Sequence, residues 1–436
     1  MIEKIKKIIR WSIFYKVYKS LESKLAAAYF WYPSKQLIVI WVTWTDWKST
    51  TSNMIHKILN DNLWKTALFT TVNQKFWDIE QPNKYKMTNV SAWKTQEFLK
   101  QAVESWCKYC VLEVSSHWID QKRVANIDFD VAVLTNITPE HLDYHKTLTD
   151  YANTKKQLFQ WVLRNRQWLG IAVLNKDDDF GKEWEQEMAF KATLTYWIYS
   201  TAQFKWENIE ERLDWTSFKL KYLNKEYPVN LKLPWSFNVY NALAAIATSH
   251  GLKVKIEDAI KSLEELKPVP GRVNLIKDDK NNITFVVDYA HTPNALKSVL
   301  TFLNKVKNNW RIITVFWAPG MRDQDKRPKM WEIVDKLSDI IILTDDDPDK
   351  EDRIKIIKQV QKWIKRPLQE DFWIVPEREV AIQLAYKIAK PNDIILVAGK
   401  WHETVQLTNY GKRHYSDIET IKEILRTESW ELRFED

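Results

Sequence analysis

The stretch IVIWVTWTDWKSTTSNMIHKIL, residues 38–59, constrains this chain more than any other. An apolar β-branched run (Ile38, Val39, Ile40, Val42) leads into a turn-like segment carrying Lys48, Ser49 and Thr50. Apolar residues at helical spacing follow (Met54, Ile55, Ile58, Leu59). Strand, loop, then lysine and hydroxyls at a helix start is the layout of a phosphate-binding loop. The glycines such a loop uses are absent, and Trp41, Trp44 and Trp47 stand in their place. An indole fills the volume the phosphates need, and its Cβ disfavours the positive φ of a phosphate nest. As written, the motif is broken.

Composition supplies a reason. The chain has 7 Gly and 24 Trp in 436 residues. Together they make up about 7% of the chain, the ordinary share of glycine alone. Most Trp letters are therefore read here as glycine codons translated with the wrong genetic code. Some bacterial lineages read UGA as glycine, whereas a common alternative table reads it as tryptophan. The alternative, a tryptophan-rich protein, must explain why tryptophan falls so often in turn contexts. With glycine restored the loop reads IGVTGTDGKST.

The length suggests two or three domains. The net charge of +8 comes from scattered Lys and Arg, suits anionic substrates such as nucleotides, and otherwise reads as solvated surface. No run approaches transmembrane length and no signal peptide is visible, so a cytoplasmic protein is expected. Cys107 and Cys110 form a lone C-x-x-C, read as two buried thiols in preference to a redox or metal pair.

Residues 1–36 are basic and aromatic and read as a helix packed on the next domain, in preference to one lying on a membrane surface. From 37 to 267, strands and helices alternate as in a doubly wound sheet. Within it, 184–233 reads as antiparallel, with strands around Leu194–Tyr199, Ser217–Leu223 and Glu226–Leu231. LKPVPGRVN (266–274) marks a boundary, and a second α/β pattern fills 268–436. The expected fold class is α/β, a central P-loop ATPase-type doubly wound sheet followed by a Rossmann-like C-terminal domain.

With Trp read as Gly, eight ordered motifs span residues 38 to about 417. They are GVTGTDGKST (41–50), LEVSSHGIDQKRV (112–124), TNITPEHLDYHKTLTDYANTKKQLF (135–159), LPGSFNVYNALAA (233–245), PGRVN (270–274), VVDYAHTPNAL (286–296), FGAPGMRDQDKRPKMGEI (316–333) and VAGKGHETVQ (397–406). They resemble the Mur ligases, and within them the branch that adds the third residue of the peptidoglycan stem peptide. The resemblance implies an ATP- and Mg²⁺-dependent ligase. It would join a diamino acid, lysine-like or diaminopimelate, to UDP-MurNAc-L-Ala-D-Glu through an acyl phosphate. A monomer that binds no nucleic acid is expected.

The resemblance implies that Trp44, Thr45, Asp46, Trp47, Lys48, Ser49 and Thr50 hold the ATP phosphates, with a Ser49 or Thr50 hydroxyl on Mg²⁺. Glu113 and His141 would be further Mg²⁺ ligands, and Lys155 a carbamylated lysine whose anionic group also ligates the metal. Lys156 is the neighbour that register against YANTKKQLF disfavours. Asn241, Asp288 and His291 would lie near the adenosine, bringing the two domains together over the nucleotide. Ser115, Gln121 and Arg123 would contact the muramoyl dipeptide, with Thr88 and Asn89 in the region of another contact; an arginine suits its anionic groups. Arg322, Asp346, Asp347, Pro348, Asp349, Gly399 and Glu403 would receive the incoming amino acid.

Two departures stand out. Diaminopimelate-adding members carry DNPR, whose arginine pairs with the distal carboxylate, whereas Asp349 stands at that arginine here. A carboxylate there repels a second carboxylate and favours a side-chain ammonium, which points to lysine or a similar diamine. Family members also carry an N-terminal domain for the uridine diphosphate, and here only about 36 residues precede the first strand. Either uridine recognition is lost or reduced, or another chain supplies it. Two further readings are a Mur-like ligase acting on a folylpolyglutamate-type acceptor and a nucleotide-binding protein that no longer ligates. Retention of Lys48, Glu113, His141 and Lys155 together argues against the latter.

Overall fold

The computed structural model describes residues 13–43, 48–83, 90–139, 142–164, 169–197, 202–266, 274–288, 290, 292–307, 309–317, 327–345, 366–367, 369–400, 405–408 and 411–431. The chain divides into two compact units, Met1–Glu211 with Trp215–Lys267, and Arg212–Asp214 with Pro268–Asp436.

The first unit runs α1 (Ile13–Tyr29), β1 (Ile38–Thr43), α2 (Lys48–Asn62), β2 (Thr66–Phe69), β3 (Asn73–Phe76), β4 (Ile79–Pro82), α3 (Ala92–Glu104), β5 (Tyr109–Glu113), α4 (Ser116–Asp120) and β6 (Val131–Leu134). It continues with α5 (Leu142–His145), α6 (Leu148–Arg164), β7 (Ile171–Asn175), α7 (Asp179–Glu187), β8 (Ala192–Trp197), β9 (Phe204–Glu211), β10 (Thr216–Tyr222), β11 (Lys225–Leu231), α8 (Ser236–Gly251) and α9 (Ile256–Glu264). The strands form one sheet in the order β11-β10-β9-β8-β7-β6-β1-β5-β2-β3-β4. β1 lies between β5 and β6, parallel to both. Its alternate residues face two helical layers, as a period of two requires. Ile40 and Val42 pack with Met54, Ile58 and Leu243, while Val39 and Trp41 pack with Leu99, Leu158 and Phe159.

The antiparallel reading of 184–233 holds for β9, β10 and β11 but not for β8. β8 is parallel to both β7 and β9. The reason is α7, which carries the chain back across the sheet, so the next strand restarts in the same direction. Cys107 and Cys110 are buried free thiols, and burial pushes both above the usual thiol range.

The second unit runs β12 (Asn274–Asp278), β13 (Ile283–Asp288), α10 (Pro293–Val306), β14 (Ile312–Trp317), α11 (Arg327–Leu337), β15 (Ile340–Thr344), β16 (Phe372–Ile374), α12 (Arg378–Ile388) and β17 (Ile394–Ala398), then the hairpin β18 (Val405–Thr408) and β19 (Gly411–His414), and α13 (Asp417–Glu431). Its six-stranded sheet has the order β12-β13-β17-β14-β15-β16, parallel except for the edge strand β12. A fully buried ion pair braces the end of β17. Arg378 donates to both carboxylate oxygens of Asp417 at 2.7 and 2.8 Å, and its Nη2 also reaches the Ala398 carbonyl at 3.0 Å.

Several tryptophans occupy backbone positions that favour glycine. After α1, the Trp31 N–H donates to Ala28 O at 3.0 Å and the Tyr32 N–H to Ala27 O at 2.7 Å, with Trp31 at φ 62°. After α3, Trp106 at φ 61° does the same through Val103 O and Cys107 to Ala102 O, both at 3.0 Å. These are Schellman ends with tryptophan in the left-handed position. Trp77, φ 58°, opens the two-residue turn joining β3 to β4, and Trp235 precedes α8 at φ 82° and ψ 137°. The indole N–H groups of Trp41, Trp118, Trp197, Trp206, Trp331 and Trp373 are buried with no hydrogen-bond partner among the described residues. A buried indole N–H normally has one.

Two outcomes follow from this fold. Peptide mass spectrometry on protein from the source organism should find glycine at positions 31, 41, 77, 106, 118, 235, 317 and 331, and tryptophan masses at 31 and 106 would refute the recoding. The other concerns His56 in α2, buried with Nε2 3.0 Å from the Thr66 carbonyl. Burial, with the Lys75 charge, lowers its pKa from 6.5 to about 3. The unfolded chain therefore binds the extra proton first, so stability is full above pH 6.5 and falls as pH drops toward 3. Between pH 7 and 5 this loss is about 2 kcal/mol. Denaturant titrations should show the stability gap between the wild type and His56→Gln narrowing by that amount.

Candidate functional site

β1 and β5 end at the same edge of the first sheet, with Val42 in register with Glu113. Ligands of open α/β sheets bind at this carboxyl edge. Lys48 is the first residue of α2, so its ammonium stands at a helix N-terminus, where anions are favoured. The next residue, Ser49, donates through Oγ to Glu113 Oε2 at 2.8 Å. Thr71 donates twice to the same carboxylate, through its N–H to Oε2 and its Oγ1 to Oε1, each at 2.9 Å. Glu113 is thus a buried carboxylate oriented by donors from the first turn of α2 and from the loop after β2. Thr50 is buried beside Ser49. Asn53 supports this helix start from below, donating to Ser49 O at 2.8 Å and exchanging amide contacts with Asn73.

Asn241 is fully buried in α8. Its Oδ1 accepts from Thr51 of α2 at 3.0 Å and its Nδ2 donates to Asn238 of its own helix at 3.0 Å, so an amide anchored in α8 ties α8 to α2. Ser115 caps α4 without a side-chain hydrogen bond to the helix backbone. Gln121 is buried, and Arg123 is half-buried with Nη1 donating to Val90 O at 3.2 Å. Beside them, the Tyr144 hydroxyl donates to Asp120 at 2.7 Å, and His145 Nε2 lies 2.8 Å from Ser116 Oγ. Against the push of burial, Lys16 and Tyr144 hold the Asp120 carboxyl below its ordinary range.

The two adjacent lysines of α6 separate cleanly. Lys155 is fully buried, its Nζ 4.3 Å from the centre of the Tyr151 ring. Burial raises the nearby Asp178 carboxyl, opposed by the Ile137, Gly181 and Phe180 N–H donors and by the Lys155 charge. Lys156 points the other way, into ion pairs with Glu183 at 3.2 Å and with Glu187. Burial works against its charge, but these carboxylates raise its pKa on balance.

In the second unit, Asp288 and Gly399 meet at the carboxyl edge, the Gly399 N–H donating to Asp288 O at 3.0 Å. Gly399 has φ 98°, and a Cβ there would lie 1.5 Å from Trp317 Nε1, so the indole lies directly on its backbone. The remaining candidates, Trp44, Thr45, Asp46, Trp47, Thr88, Asn89, His141, His291, Arg322, Asp346, Asp347, Pro348, Asp349 and Glu403, lie outside the described residues. Among the described residues, no three His, Cys, Asp or Glu side chains come together as a metal cluster. Sequence reasoning missed Thr71 and His145. A hydroxyl pair immediately after β2, and the second histidine of PEHLDYH, were the available signals.

The description "Mur ligase middle domain" matches residues 42–249, and "Mur ligase, glutamate ligase domain" matches residues 271–401. The chain belongs to the Mur ligase family. It is 35% identical over 413 residues to a UDP-N-acetylmuramoyl-L-alanyl-D-glutamate–2,6-diaminopimelate ligase of Syntrophomonas wolfei, covering 94% of this chain and 82% of that protein. The enzyme of the same description from Bacillus cereus is 35% identical, covering 92% and 80%. A solved structure of a ligase so described superposes with a TM-score of 0.67 at 28% identity, over 94% of this chain and 83% of that one. Folylpolyglutamate synthase of Mycobacterium tuberculosis has a TM-score of 0.69 at 14% identity, over 87% of this chain and 92% of that one, and shares the fold. This Mur ligase is accordingly an ATP-dependent, amide-forming enzyme.

The contrast between the two lysines is directly testable. Lys155→Ala should lower turnover about 100-fold or more with the near-ultraviolet circular dichroism unchanged, and bicarbonate should not restore it. Lys156→Ala, which removes only exposed ion pairs, should keep turnover and change stability by less than about 1 kcal/mol. An active Lys155→Ala enzyme would remove Lys155 from the site.

Proposed function

We propose that this Mur ligase adds a diamino acid to UDP-N-acetylmuramoyl-L-alanyl-D-glutamate, a step of peptidoglycan precursor synthesis. The observation that carries the proposal is the Lys48–Ser49–Glu113 arrangement at the sheet edge, in a chain that aligns over more than nine-tenths of its length with ligases named for that acceptor. The acceptor carboxylate attacks the γ-phosphorus of ATP and ADP leaves. The amine then attacks the acyl carbon of the resulting acyl phosphate, and phosphate leaves. No protein nucleophile enters; the chain acts by positioning and by opposing charge.

Magnesium fits the residues present, because Ser49, Thr50 and Glu113 offer the oxygen donors it takes. Bound there, it supplies positive charge against the phosphates. Thr71 and Ser49 keep Glu113 oriented, and Lys48 places its cation beside the phosphates at the start of α2. Lys155 fits the carbamate role: a buried ammonium is costly, and carbamylation converts it into an anion that suits a metal. His141 completes the proposed metal ligands, and Ser115, Gln121 and Arg123 hold the acceptor. In the second unit, Gly399, Arg322, Asp346–Asp349 and Glu403 form the proposed seat of the incoming amino acid. There Asp349 favours an ammonium over a second carboxylate.

Phosphate release against a panel of acceptors and amino acids tests this reading, using protein with glycine restored so that no indole lies on Gly399. Release should require the UDP-muramoyl dipeptide together with a diamino acid. Lysine or ornithine should exceed diaminopimelate in kcat/KM by on the order of 100-fold, and Asp349→Arg should narrow or reverse that order. Release with a folate-type acceptor and none with the dipeptide would overturn the assignment. Equal use of both amino acids, unchanged in Asp349→Arg, would place Asp349 outside the pocket.

A further inference from the structure

Helix α1 is built inside out. Among its described side chains, the face it turns toward the domain is, apart from the half-buried Tyr15, polar and small. Lys16 donates to Asp120 at 2.7 Å, Lys19 pairs with Glu22, and Ser23, Ala26 and Ala27 are buried. The face turned to solvent carries Val17, Tyr18, Leu21, Leu25 and Tyr29, each between 52% and 68% exposed. Ser20, Lys24 and Ala28 are the other exposed positions along it. A helix that serves only the interior of its own domain shows the reverse arrangement. An apolar stripe of this kind marks a surface that meets something else.

Two observations identify the occupant. The residues that precede α1 add Lys4, Lys6, Lys7 and Arg10 against the single acid Glu3, so an outward apolar stripe adjoins a basic stretch of chain. A second copy of the chain would be a poor fit. The helix has 17 residues, a face about 25 Å by 10 Å, on the order of 250 Å², where a stable dimer buries about 800 Å² per partner. A membrane needs no such area, because a shallow apolar face and a cluster of cations together suffice for binding. Among the described residues, no helix is long and apolar enough to cross a membrane, so the contact lies on the surface. We propose that the outward face of α1, with the basic residues before it, docks this protein on an anionic lipid surface. The inference stands apart from the ligation chemistry.

Vesicle co-sedimentation of the full chain decides it. Phosphatidylglycerol-containing vesicles should bind the protein, pure phosphatidylcholine much less, and 0.5 M salt should weaken the binding. Leu21→Glu/Leu25→Glu alters only outward side chains and should lower partitioning by roughly 100-fold or more. Lys6→Glu/Arg10→Glu should remove the preference for anionic vesicles. Absence of binding to phosphatidylglycerol vesicles, or equal binding by the leucine variant, would overturn the proposal. So would a dimer, seen by light scattering, that the leucine variant breaks: the face would then belong to a second copy.

Discussion

The arrangement at the first sheet's edge depends on one buried carboxylate. Glu113 ends β5, and its two oxygens accept from Ser49 on one side and twice from Thr71 on the other. A buried charge held without donors is strongly unfavourable. The first turn of α2 and the loop after β2 must therefore both be in place for this carboxylate to keep its donors. The parallel register of β1 with β5 sets Ser49 and Glu113 at one edge, and the pairing of β2 with β5 brings in Thr71. Backbone pairing in this way becomes side-chain geometry at the site.

Much of this was legible in the residues. The switch from an apolar β-branched run in β1 to helical spacing in α2 located Lys48, and an apolar run ending in an acid located Glu113. Register against the family motif YANTKKQLF separated Lys155 from Lys156, and the structure gives a physical difference between them, burial against exposed pairing. The hydroxyl pair after β2 was visible, but the role of Thr71 was not, because it depends on a strand from elsewhere in the sequence. The direction of β8 was missed because local alternation is the same in parallel and antiparallel strands. Periodicity likewise groups Val17, Leu21 and Leu25 on one face of α1, but says nothing of whether that face turns inward.

The tryptophans pose a question of energetics. Each buried indole N–H without a partner costs about 1–3 kcal/mol, and the first sheet and its helices hold four of the six. The net stability of a domain is about 5–15 kcal/mol. Add the left-handed backbone at Trp31, Trp77 and Trp106, and the penalties approach the whole margin. Glycine removes both kinds of cost at once. At Gly399 the difference reaches the chemistry, since the indole of Trp317 covers backbone that a glycine there would leave open.

The inverted packing of α1 also bears on how the first unit opens. Among the described side chains, its hold on the domain includes a half-exposed ion pair, Lys16 to Asp120, the buried Ser23 with its bond to Arg123 O, two buried alanines and the edge-on contact of Tyr29 with Trp93. Asp120 is also the acceptor for Tyr144, so departure of Lys16 loosens the turn between Ser115 and Arg123. Through Asp120, the outward-facing helix and the turn between Ser115 and Arg123 share one carboxylate, whereas the β1–β5–β6 ladder is paired independently of it.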